Sequence, residues 1–69
     1  NMNMSPMMHN NLRFYTLRMN ESAEMAEQMA IDFETKLDKL DKYDQMDVAR
    51  VIDMDGWESA FELIEILSN

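Results

Sequence analysis

SAEMAEQMAIDFETKLDKLDK, residues 22–42, is the stretch whose reading decides the fold. It reads as a single amphipathic helix. Asn20 and Ser22 stand at its start as N-cap candidates, because a short side-chain oxygen accepts from the free N–H groups of a first turn. Glu21 and Glu24 lie where the helix dipole favours negative charge. The interior is rich in helix formers, from Ala23 to Ala30, and holds no Gly or Pro. Ala26, Ala30, Phe33, Leu37 and Leu40 recur at heptad spacing, with Met29 widening one edge. The other side carries Glu24, Glu27, Glu34, Asp38 and Asp41. Such a seam is explained by core packing within one chain. Pairing with another chain is the sharper alternative, but two heptads are too few for a coiled coil.

Downstream, the seam breaks between Asp41 and Gln45, since continuing it would turn Asp44 and Asp47 inward. Asp44 is the expected N-cap of a second helix running from Gln45 to about Met54, with Val48, Val51 and Ile52 on its apolar side. A single bent helix through Met54 is the competing reading. Asp55-Gly56 is the clearest punctuation in the chain, because glycine suits the conformation that ends a helix. A third helix follows from Trp57 to about Leu67, with Trp57, Ala60, Phe61, Ile64 and Leu67 on one stripe. Leu63 and Ile66 broaden that stripe.

Upstream, LRFYTLRM, residues 12–19, favours a β-strand, since Phe14, Tyr15 and Thr16 prefer strands and nothing breaks the run. A short helix is the competing reading. A lone strand leaves its backbone groups unpaired, and the chain offers no second good strand. Leu12, Phe14, Tyr15 and Leu17 are therefore the expected strand-pairing residues, with a second copy or a target sheet edge as partner. Residues 1–11 read as a disordered Met-rich tail ahead of a single helical domain over residues 12–69.

A strand with Arg13, Thr16 and Arg18, then a polar cap and two helices, resembles the outline of ribbon-helix-helix proteins over residues 12–54. The resemblance implies a dimer whose paired strands enter the DNA major groove. The chain departs from that pattern in having no Gly between the two helices, a longer first helix and a strongly acidic body.

The 69-residue chain has a net charge of −8, unevenly laid out. Residues 1–20 carry +2, residues 21–43 carry −4 and residues 44–69 carry −6. Such a field repels nucleic acid and anionic membranes and attracts basic surfaces. A domain of this length buries only about 60% of its unfolded surface, and the absence of Cys removes any disulfide support. Oligomerisation or a partner is the expected help. No run is long and apolar enough for a membrane span, and no basic-then-apolar leader is seen, so a cytoplasmic protein is expected.

Chemistry is sparse. Met2, Met4, Met7 and Met8 with His9 are soft donors of the kind that bind Cu(I), although a flexible leader explains them as well. Asp53, Asp55, Gly56 and Glu62 mimic part of an EF-hand loop, but Val51 stands where the first ligand belongs. His9 and the four serines form no nucleophile–base set by sequence position. The expectation is thus a mainly α protein: one short N-terminal β-strand, paired across a homodimer, ahead of a small three-helix bundle. It needs no metal or other cofactor and is not an enzyme. Its work is contact with a protein partner, as a small regulator or inhibitor. Glu24, Glu27, Glu34, Asp38, Asp41, Asp44 and Asp47 are the candidate partner-binding residues. Met19, Met25, Met29, Met46 and Met54 add adaptable apolar contact. The alternative is a nucleic-acid mimic, in which those acids stand in for phosphates in a target's DNA-binding groove.

Overall fold

Helix α1 spans Pro6–Met19, where a strand is expected from sequence. The computed structural model describes residues 4–69, and no strand occurs among them. Ser5 caps α1, its Oγ accepting from the Met8 N–H at 3.1 Å. Pro6 follows at the first helical position, where its missing N–H is not needed and its φ is already helical. On a helix, Met8, Leu12, Tyr15 and Thr16 fall on one face. Leu12 and Thr16 are fully buried and Met8 packs against the core. Burial of that face outweighs the strand preference of Phe14, Tyr15 and Thr16, which is weak and dependent on context. The Thr16 hydroxyl donates back to the Arg13 carbonyl at 3.2 Å, so the buried polar group is satisfied.

Two expectations change with this helix. Leu12, Phe14, Tyr15 and Leu17 pair with no strand: Leu12 enters the core, Tyr15 stacks on aromatic rings, and Phe14 and Leu17 face outward. The DNA-reading ribbon goes with the strand, as does the strand-based reason for a homodimer. The tail also shortens, since residues 6–11 belong to α1 and Met4 is buried. Residues 1–3, Met2 among them, lie outside the described residues.

Helix α2 spans Ala23–Lys39, capped by Ser22, whose Oγ accepts from the Met25 N–H at 3.1 Å. Its seam behaves as read: Ala26, Ala30, Phe33 and Leu37 are buried. The helix ends at Leu40, whose backbone is extended, and α3 spans Lys42–Asp55. The chain therefore breaks rather than bends. The cap of α3 is Asp41, accepting from the Asp44 N–H at 2.8 Å, and not Asp44 as expected. Both aspartates suit the role by type. Asp41 takes it because its extended backbone directly follows the extended Leu40. Gln45 Nε2 then donates to the Leu37 carbonyl at 3.0 Å, tying the corner to the end of α2.

Gly56 turns the chain into α4, Trp57–Leu67, with φ at +93°. Its N–H donates to the carbonyls of Val51 and Ile52, closing α3. The chain thus forms two helical hairpins, α1–α2 and α3–α4, joined through α2 and α4. Leu12, Ala30, Phe33, Leu37, Val48, Ala60 and Ile64 make the core, with Met4 at its edge. Across it, Phe33 lies 4.5 Å from Phe61 and 5.7 Å from Trp57 between ring centroids. Tyr15 closes the same stack, 5.3 Å from Phe61. Leu63 packs on the core, whereas Ile66 is exposed.

Candidate protein-binding surface

Arg13 sits on the side of α1 that meets α2, and it gathers two of the seven candidate acids. Its Nε and Nη2 donate to the two carboxylate oxygens of Glu27, each at 3.0 Å. Its Nη1 donates to Glu34 at 3.1 Å. Both acids lie on one side of α2, two turns apart, so a guanidinium fork from α1 spans them. The hydrogen bonds to Glu27 and then Glu34 raise the Arg13 pKa further. The Arg13 hydrogen bond in turn lowers that of Glu27. His9 Nδ1 also faces Glu34, completing a polar knot between the helices.

The other candidates are dispersed. Asp41 is engaged as the α3 cap. Asp44 is half-buried in the first turn, and Asp47 pairs with Arg50 at 2.8 Å. Glu24 is exposed at the start of α2. Asp38 lines an open hollow of about 300 Å³ with Met4, His9, Ile31 and Glu34. The seven acids therefore do not form one bare strip. A second ion network joins α2 to α4: Lys36 donates at 3.0 Å to Asp32, the i,i+4 pair that spacing on the helix predicts, and also to Glu65, a contact between helices that the sequence does not announce. The bond to Glu65, then that to Asp32, raises the Lys36 pKa.

No group of three or more His, Asp or Glu side chains converges to hold a metal among the described residues. Ser5 and Ser22 are occupied as caps, and His9 faces Glu34 and Arg13. No helix among the described residues is long and apolar enough to cross a membrane.

What stands out is bare apolar surface. On α1, Met7, Phe14 and Leu17 are 70%, 62% and 50% exposed. On α3, Tyr43 and Met54 are each 76% exposed, with Met46 between them at 50%. Of the methionines expected at the surface, Met19, Met25, Met46 and Met54 are exposed, and Met29 is half-buried with its sulfur taking a hydrogen bond from Asn20. The α1 residues escape a strand reading, which scatters them over two faces. Once α1 is helical, Met7, Asn10, Phe14 and Leu17 follow one another at 3, 4, 3 spacing on its outer side. Comparison with protein-family models, with curated proteins and with solved structures finds no match to this chain.

Proposed function

We propose that this chain is a non-catalytic acidic interaction module, a small regulator or inhibitor that acts by binding a larger protein. The observation that carries the reading is the set of large apolar side chains left bare on α1 and α3 of a body with net charge −8. Exposed apolar patches rimmed by polar residues mark contact sites, and methionine-rich ones adapt to a partner's shape. The acidic surround draws a basic partner and repels nucleic acid. Apolar anchoring is favoured over mimicry of nucleic acid. Glu27 and Glu34 are tied to Arg13, Asp47 is paired with Arg50, and Asp41 is engaged in a cap, so these acids do not stand as a continuous unpaired row that copies a phosphate backbone.

The test is capture of a partner from extracts of the source cells on immobilised protein, repeated at low salt and at roughly 0.5 M salt, where surface charges are strongly screened. A protein retained at both salts supports the reading. Capture that vanishes steeply with salt, in the manner of phosphate-charge neutralisation, supports mimicry instead. No capture at either salt, or turnover of a substrate by the purified chain, contradicts the proposal.

A further inference from the structure

Of the features that the core does not explain, the hollow between the start of α1 and the middle of α2 goes furthest, because a thioether and an imidazole both line it. Ser5 is the N-cap of α1 and Pro6 its first residue. Met4 therefore stands just before the cap, and His9 at the fourth helical position. Those are the two places that a hydrophobic staple brings together across a first turn. A staple ordinarily joins two apolar side chains, and here its second member is an imidazole. Met4 is 9% exposed and His9 about half exposed, and both line one hollow of about 300 Å³ with Ile31, Glu34 and Asp38 of α2. The His9 ring is held from behind. Its Nδ1 lies 2.5 Å from Glu34 Oε2, and Arg13 Nη1 holds the same carboxylate oxygen at 3.1 Å. An ionised carboxylate only accepts, and it lies nearer to Nδ1 than Arg13 Nη1 does, at 3.4 Å, so Nδ1 carries the hydrogen. The lone pair is then on Nε2. A carboxylate behind the ring is the arrangement that orients metal-binding histidines and raises their basicity as ligands.

We infer that Met4 Sδ and His9 Nε2 together hold one soft monovalent metal ion, of the class of Cu(I) and Ag(I). Both donors are neutral, and a thioether selects soft ions over hard ones. Zn(II) is a poor fit. It takes a tetrahedron of donors, the chain has no Cys, and no group of three or more His, Asp or Glu converges among the described residues. Cu(I) is satisfied by fewer donors. His9 is the one histidine in the chain, so the exposed methionines Met19, Met25, Met46 and Met54 have no imidazole to pair with on their own helices α2 and α3 or at the far end of α1. Nearer to His9, Met7 is 70% exposed and Met8 packs against the core, which leaves Met4 as the methionine that shares the hollow. The ion is bound and not turned over. The inference thus adds a ligand to a non-catalytic chain and does not rest on the reading of its apolar faces.

The probe is Ag(I), added as the nitrate to the full chain in chloride-free buffer, with Zn(II) added in parallel. Affinity is read by titration calorimetry, and the contact is mapped by NMR of the methionine methyls and the His9 ring nitrogens. A single Ag(I) should bind per chain and shift the Met4 methyl and His9 Nε2, while the Met19, Met25, Met46 and Met54 methyls stay in place. Zn(II) should give no such shifts. Met4→Leu conserves volume and apolar packing but removes the sulfur, so a merely structural Met4 predicts wild-type affinity in this variant. Met4→Leu and His9→Gln should instead weaken Ag(I) binding by more than about tenfold, and Glu34→Gln by about tenfold, the scale of a lost outer-shell partner. Met54→Leu should leave it unchanged. Circular dichroism checks that each variant is folded, and the wild-type shifts decide the matter without any variant. Absence of Ag(I) binding, shifts spread over the exposed methionines, equal binding of Zn(II), or wild-type affinity in a folded Met4→Leu, His9→Gln or Glu34→Gln overturns the inference.

Discussion

The guanidinium of Arg13 grips Glu27 with two parallel hydrogen bonds of 3.0 Å, from 14 residues away in sequence. This fork does two things. It fixes α1 against α2, and so aims Phe14 and Leu17 outward. It also removes Glu27 from the pool of free acids. Arg13→Met keeps much of the stem's packing and loses the fork. It should lower stability, by an amount reduced by the exposure of the pair, and read as a lower Tm in thermal unfolding. The difference should shrink in high salt.

The same pair sets a pH dependence. The Glu27 pKa is lowered on folding from its ordinary value of 4.5, first through the Arg13 hydrogen bond. A depressed carboxylate pKa contributes stability that is present above the unfolded value and lost as pH falls through the folded one. The stability gap between the wild type and Arg13→Met should therefore hold near neutrality. It should close as pH drops below 4.5 toward the lowered Glu27 value. Urea titrations at a series of pH values check this, and a gap independent of pH contradicts it.

Gly56→Ala should destabilise the chain by about 1–3 kcal/mol, the scale of backbone strain at a residue held in a sparsely populated region. The reason is the φ of +93° and not crowding, because an added Cβ would meet nothing within 4 Å. Chemical denaturation followed by circular dichroism reads the loss. A neutral result would mean that the corner between α3 and α4 relaxes to another conformation.

Phe33→Ala should cost about 3–5 kcal/mol, as large-to-small core changes do. Phe33 is 1% exposed and holds the rings of Phe61 and Trp57. In a domain this small that loss leaves much of the population unfolded. Trp57 fluorescence should shift toward its solvent-exposed value. Ser5→Ala, which removes the cap of α1, should cost about 1 kcal/mol, measured by the same denaturation.

Much of the fold is legible in local pattern. The Ala26–Leu37 seam, the Ser22 cap, the Gly56 corner and the Trp57–Leu67 stripe each rest on residues within a few positions of one another. The reading fails at Leu12–Met19 for a physical reason. Eight residues span little more than two helical turns, and there the strand preference of Phe14, Tyr15 and Thr16 is the louder signal. The evidence for helix lies just upstream, in Ser5 and Pro6, together with Met8 extending the apolar face. The acidic surface is harder still. Glu27, Glu34 and Asp38 are placed on one side of α2 by spacing alone, but only the approach of α1 decides that Arg13 takes the first two. Contacts between residues so far apart in the chain leave no local trace.

Everything said of the surface depends on α1 being a helix with its outer side bare. The ¹³Cα chemical shifts of the purified protein in solution test that directly. Downfield, helix-type shifts should run without interruption from Pro6 to Met19. Upfield, strand-type shifts at Phe14, Tyr15 and Thr16 would contradict the account and return Leu12, Phe14, Tyr15 and Leu17 to a paired ribbon.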